Sequence, residues 1–391
     1  MNVTDKFHIM FKYPIFVLTK LHMMKLAGLL ILLGIMSANA QDNYNLVIGT
    51  YTNTCESKGI YVYDFNAVTG EFKAKGNTED VISPSFLTVS ADNKFIYSVN
   101  ENGKDSDISA FKYAPATGKV TRLNKKDAKG EDPCFIINDA ENVIAANYGT
   151  GNITVFDKKN DGSLGEVKQT VKHTGSSANK DRQEGPHVHQ VGFSPDKKFV
   201  FCNDLGTDKI YIYNYNPKGG DKTLTFKETM SAKAGTGPRH LSFHPNGIFV
   251  YVVGELDASV TVYSFINGHL EEIQRTDVVP DGFTGENGGG DIHFSKDGKF
   301  LYVTNRGTAN TITTFRVHAT GMINQVQQLS TMGDSPRNFA IDPKGNYLLI
   351  GHQKSNNITI FKRDKATGML TDTGKKIELC APVCLVFTAA K

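Results

Sequence analysis

Histidine, arginine and carboxylate side chains recur along this chain beside proline, glycine or asparagine. His187 and His189 stand in Gly185-Pro-His-Val-His189, and Arg239 and His240 follow Pro238. Glu255 follows Gly254, where neighbouring copies of the same phrase carry Asn203-Asp204 and Asn305-Arg306. Asp291 and His293 flank Ile292, Arg337 follows Pro336, and Gln353 follows His352. Imidazole and carboxylate can move a proton at neutral pH, and guanidinium groups can hold an oxyanion or an anionic substituent. His187 and His189 alternate, so they share a face if the segment is extended. Two histidines with a carboxylate could ligate zinc, but no tight ligand spacing supports it, and neither metal nor cofactor is expected. Gly288-Gly289-Gly290 precedes no helix, which removes the dipole argument for a phosphate cradle. No Gly-x-Ser-x-Gly elbow occurs, so a serine acyl-enzyme is not indicated. Each residue also has a purely structural reading: caps for the histidines, struts for Arg239 and Arg337, an ion pair for Glu255 with Arg306.

What positions these residues is a repeat. The stretch from Gly235 to Tyr263 reads as three strands and two turns, with Pro245-Asn246-Gly247 supplying turn chemistry. The run 248–253 is continuously β-branched and aromatic, the mark of a strand buried on both faces. The phrase recurs, and the first apolar residues after its central turn are Phe95, Val143, Phe199, Phe249, Phe300 and Tyr347. That period of about fifty residues is the range of propeller blades. Six complete phrases and an incomplete first one make seven. The first lacks its leading strand while the chain ends on an orphan apolar run, so Cys384–Thr388 is expected to enter the first blade and close the ring, removing the open sheet edge. The expected fold is all-β, a single seven-bladed propeller over residues 42–391. A sandwich or barrel would not repeat one turn chemistry at a fixed offset. The polar breaks then fall at two equivalent offsets and are expected to share one mouth of the central channel. A rim residue carries little blade packing, so truncating His189 or Arg239 should cost rate rather than stability. Arg337, as a strut, should show the opposite balance.

Residues 1–40 read as a signal peptide. Lys25 precedes about eleven apolar or small residues and Ser-Ala-Asn-Ala ends at Ala40, a cleavable pattern too short for a comfortable span. Met23 or Met24 is a plausible start, and a periplasmic or secreted protein without stable membrane insertion is expected. The formal charge of +3 falls to about zero without the leader's Lys6, Lys12, Lys20 and Lys25 against Asp5, which argues against a nucleic-acid partner. Cys55, Cys134, Cys202, Cys380 and Cys384 are irregularly spaced and read as small core residues, with no disulfide framework.

At Gly185–Asp196, Cys202–Tyr213, Gly237–Pro245, Asp291–Gly307 and Pro336–Gly345 the sequence resembles the seven-bladed propeller lactonases, which include bacterial 6-phosphogluconolactonases and fungal carboxymuconate cyclases. The resemblance covers essentially all of residues 42–391. It implies a catalytic set of His189, Arg239, Glu255 and Arg306, with an anionic sugar lactone as substrate. Family members commonly place Asn before that glutamate, where this chain has Gly254. His189, or Glu255 with a raised pKa, would be the general base, and Arg239 or Arg306 would hold the oxyanion. His187, Asp204, His240, His293, Arg337 and Gln353 are assigned to substrate binding. The competing readings are a non-catalytic scaffold propeller, a lactonising cyclase and a metal-dependent sugar lactonase. The absence of Trp removes the Trp-Asp signature of interaction propellers.

Overall fold

Twenty-eight strands form seven four-stranded antiparallel sheets in the computed structural model, which describes residues 41–391. The expected signal peptide lies outside the described residues. Blades 2 to 7 each take their four strands consecutively, beginning at Leu87, Pro133, Val188, Pro238, Asn287 and Pro336. Blade 1 takes its innermost strand, Pro382–Ala389, from the chain end, and that strand pairs with Asn43–Thr50 from Tyr44↔Ala389 to Thr50↔Pro382. This is the closure that the orphan strand implies. Of the six aligned apolar residues, all but Val143 open the second strand of a blade, and Val143 is second in its strand.

The period has a packing cause. The glycine in the outer turn of one blade seats against the aromatic residue that begins the second strand of the blade before it. Gly321 meets Phe249 and Gly368 meets Phe300, both glycines at positive φ (84° and 76°), so a side chain there would be both strained and obstructed. Gly162 on Phe95 and Gly70 on Tyr347 repeat the contact. A tyrosine one turn further in seals it: Tyr97 donates to the Gly162 carbonyl at 2.9 Å and Tyr302 to the Gly368 carbonyl at 2.7 Å. With Gly268 on Phe199, five of the seven blade junctions carry the contact, and apolar clusters such as Ile144, Val191, Val200 and Cys202 fill the space between sheets.

The cysteine reading needs a correction. Cys134, Cys202 and Cys384 are buried and free, as expected of core residues. Cys55 and Cys380, however, form a disulfide, with Cα atoms 5.9 Å apart across a sequence separation of 325. Spacing could not reveal it, because ring closure alone brings the turn after Asn43–Thr50 beside the entry to Pro382–Ala389.

Candidate active site

Two features of the blade aim side chains at one channel mouth. The first is a bulge in the innermost strand. Pairing with the second strand runs Val188↔Asp204 then Gln190↔Asn203, and Pro238↔Gly254 then His240↔Val253. One residue is therefore passed over in each blade: His189 in blade 4 and Arg239 in blade 5, with Cys134 and Arg337 at the same step in blades 3 and 7. A bulge turns the extra residue out of the ladder, which is how strands re-aim side chains at sites. The second feature is the residue just after the second strand. Tyr51, Glu101, Tyr148, Leu205, Glu255 and Gln353 each donate their backbone N–H to the carbonyl that precedes an innermost strand, at 2.8–3.1 Å.

This register corrects the assignment of Asp204. It lies one residue before the mouth position, which in blade 4 is Leu205, and neighbouring residues in a strand point to opposite faces. Its carboxylate is fully buried and accepts from the His187 and Thr207 backbone N–H groups at 2.9 and 3.1 Å, with His173 Nδ1 at 2.8 Å. Asp204 is an anchor for the chain around it, outside the site. Gly254, at the corresponding place, is required by space: a Cβ would sit 2.6 Å from Thr236 Cγ2 and from Asp257 Oδ1. An asparagine does not fit here, and the backbone of Glu255 is held instead by its bond to Gly237 O at 2.8 Å.

Glu255 is the centre of the mouth. Oε2 accepts from Arg239 Nε at 3.0 Å and pairs with Arg306 Nη2 at 2.8 Å, while Oε1 accepts from Arg182 Nη2 at 2.6 Å. His189 Nε2 stands 3.7 Å from Oε2, beyond a hydrogen bond but within reach of an ion pair once the ring is protonated. All four residues of the expected catalytic set therefore meet. Arg239 is further fixed by a 2.7 Å bond to Gly290 O, and its Nη1 lies 3.2 Å from both ring nitrogens of His240, which places it over the imidazole face. With its side chain only 2% exposed, Arg239 is a buried cation rather than a rim group, contrary to the expectation that its loss would spare stability. Arg306 donates from Nη2 to Gly289 O at 2.9 Å, yet its buried Nε has no hydrogen-bond partner.

The electrostatics follow from burial. Burial, then the charge of Arg239, holds His189 well below the ordinary histidine range, so its ring is neutral at pH 7. Burial would raise Glu255, but the charges of Arg306, Arg239 and Arg182 outweigh it, and its carboxyl lies well below the usual range. The expectation of a raised pKa at Glu255 is thereby overturned. Burial and the neighbouring Arg306 and Arg337 pull Arg239 down to about 9.

The remaining assigned residues divide. His187 flanks the mouth, stacked on Tyr148 with ring centroids 4.5 Å apart, and Tyr148 also meets the His189 ring edge-on at 5.6 Å. Arg337 of blade 7 stands over the Tyr51 ring of blade 1 at 5.5 Å, a contact between blades made without a hydrogen bond or ion pair to the described residues. Tyr51 and Ser85 donate instead to Glu101, at 2.9 and 2.6 Å. Gln353 occupies the mouth offset. His240 sits deeper, against Phe86 and Phe135, with Nδ1 2.7 Å from Asp291 Oδ1. His293 bonds the other oxygen of Asp291 at 2.8 Å and lines a cavity of about 560 Å³. That cavity is walled by later residues of the innermost strands, Ile137, Ile341 and Phe387 among them, so it opens at the far mouth. His293 is therefore not brought to Glu255. Among the described residues no group of three His, Cys, Asp or Glu side chains is arranged to hold a metal.

Sequence reasoning assigned no role to Arg182, Tyr148, Glu101 or Tyr51. Asn100-Glu101 and Asn147-Tyr148 stand at the polar offset in the sequence, and Tyr51, Glu101 and Tyr148 all hold the place of Glu255. Arg182 lies in the connection 173–187, outside the repeat.

The family described as "Lactonase, 7-bladed beta-propeller" matches residues 45–387. A 6-phosphogluconolactonase of Bacillus subtilis is 34% identical over 345 residues, covering 87% of this chain and 97% of that protein. One of Formosa agariphila is 34% identical over 335 residues, 83% of this chain and 94% of the relative. Among solved structures, a propeller from Bacteroides fragilis superposes with a TM-score of 0.86 at 40% identity, covering 90% of this chain and 99% of the other. The periplasmic gluconolactonase of Pseudomonas aeruginosa gives 0.85 at 33% identity, covering 89% and 100%. The chain belongs to the seven-bladed β-propeller lactonase family.

Proposed function

We propose that the mouth around Glu255 hydrolyses a sugar lactone by direct attack of water. The observation that carries this reading is a buried carboxylate gripped by three arginines, next to a neutral imidazole and an arginine Nε with no partner. Water between His189 Nε2 and the lactone carbonyl carbon gives its proton to His189 as the C–O bond forms. The oxyanion is taken by the positive field of the Arg306 and Arg239 guanidinium groups, which are fixed beforehand and need no reorganisation. Collapse expels the ring oxygen, which receives the proton back from His189, leaving the open hydroxy acid. Glu255 steadies the transient imidazolium from 3.7 Å. The names borne by the relatives, 6-phosphogluconolactonase and gluconolactonase, support the substrate class.

A pH profile tests the proton step. Since His189 is depressed and Glu255 is ionised well into acid, kcat/KM should be level from about pH 6 to 8, because it reports the free enzyme's acid and base. A step near the ordinary histidine value that disappears in His189→Gln would contradict a buried neutral base.

We also place the protein outside the cytoplasm. The Cys55–Cys380 disulfide supports this, since such bonds persist in oxidising compartments, and the Pseudomonas relative is described as periplasmic. Mass spectrometry of material from the native host should find a chain starting near Gln41 with that pair oxidised. A chain retaining Met1 or Met24, with five free thiols, would refute export.

A further inference from the structure

The three arginines on Glu255 are not equivalent. Arg239 and Arg306 come from strands, with side chains 2% and 13% exposed. Arg182 comes from the connection 173–187 and is 43% exposed, so its pairing with Oε1 is the one that solvent and solutes can compete for. Its backbone is nevertheless fixed. Gln183 Nε2 donates to Leu205 O at 2.9 Å, the Asn179 N–H to Gln183 Oε1 at 2.9 Å, and Ser177 Oγ to Asp208 Oδ2 at 2.6 Å. Only the side chain is left to move, and Tyr148 Oη, 3.1 Å from Nη2, can still accept from it. The mouth also has a charge surplus: Arg182, Arg239, Arg306 and Arg337 against Glu101, Glu255 and the Glu184 paired with His187, four positive and three negative, or +1. A positive mouth with one solvent-accessible guanidinium favours an anionic group such as a phosphomonoester at the rim.

We propose that Arg182 is the specificity-determining residue: it leaves Glu255 Oε1 for a phosphate carried by the lactone, so the anion that it binds also releases one oxygen of the central carboxylate. The proposal rests on the lactonase reading. It extends that reading by coupling recognition at the rim to the charge state of the centre: with Arg182 withdrawn, Glu255 is gripped by two cations instead of three and is better able to stabilise a protonated His189.

The test compares two lactones that differ only in the phosphate, 6-phosphoglucono-δ-lactone and glucono-δ-lactone, on the parent, Arg182→Ala and Arg182→Lys. In Arg182→Ala the KM ratio between them should shift by about tenfold or more against the phosphorylated lactone, the size expected for a charge-assisted bond. Arg182→Lys should fall between. Equal losses on both lactones would show that Arg182 merely positions Glu255 and would overturn the proposal, as would an unchanged ratio. Calorimetry with the open acids needs no turnover, so it separates this inference from the lactonase reading. The parent should bind 6-phosphogluconate more tightly than gluconate or glucarate, and Arg182→Ala should lose that preference. Equal binding of gluconate, or tighter binding of glucarate, overturns the phosphate assignment.

Discussion

Replacing Glu255 with glutamine should lower kcat/KM for lactone hydrolysis by about two orders of magnitude or more, the scale of losing an electrostatic group at the reacting centre. Glutamine keeps the shape and one acceptor oxygen but removes the charge that Arg182, Arg239 and Arg306 share. Two of those cations are buried, and leaving a buried charge uncompensated costs about 3–5 kcal/mol. The variant should therefore also melt several degrees below the parent. His189→Gln should lose rate to a similar degree with less effect on melting, because the ring is neutral and makes no strong bond to Glu255. Kinetics beside thermal melts read both effects. A folded Glu255→Gln protein that opens lactones as fast as the parent would remove Glu255 from the chemistry.

Truncation after Ala381 should unfold the propeller. It deletes the innermost strand of blade 1, Pro382–Ala389, while keeping the Cys55–Cys380 disulfide. Val383, Cys384 and Leu385 are almost fully buried, and so are Leu46, Val47 and Ile48 on the strand that they cover. Exposing half a dozen such side chains, at about 1.5–3 kcal/mol each, meets or exceeds the whole stability of an ordinary domain, about 5–15 kcal/mol. The edge of Asn43–Thr50 that the deleted strand pairs with would also open. The truncated chain should accumulate in aggregates, or melt far below the parent if any stays soluble. A soluble truncation melting with the full chain would show that closure by the last strand is dispensable.

The fold was legible because it repeats. Phe249, Phe300 and Tyr347 hold their places through latches to Gly321, Gly368 and Gly70, and a latch repeated at five of the seven blade junctions leaves a period in the sequence. The meeting of His189, Arg239, Glu255 and Arg306, the proposed catalytic set, was legible for a related reason: His189 and Arg239 share one offset, and Glu255 breaks another. Asp204 was misplaced because the register between blades was drawn one residue off, and in a strand one residue exchanges the two faces. His293 was misplaced because an offset specifies a blade and a height, and two residues beyond Asp291 the side chain already lines the far cavity together with Phe86 and Phe135. Burial of Arg239 and the Cys55–Cys380 bond were beyond reach, since both depend on contacts across the ring. Arg182 carries no period at all, and only its distance to Glu255 marks it.

The most direct test of the account is a lactone panel assayed on the purified protein, with and without chelator, with Glu255→Gln as control. The account predicts ring opening of at least one sugar δ-lactone well above the spontaneous rate, with kcat/KM of about 10⁴ M⁻¹s⁻¹ or more, unchanged by chelator and lost in the variant. No turnover above the spontaneous rate on any lactone, or turnover that chelator abolishes, would contradict it.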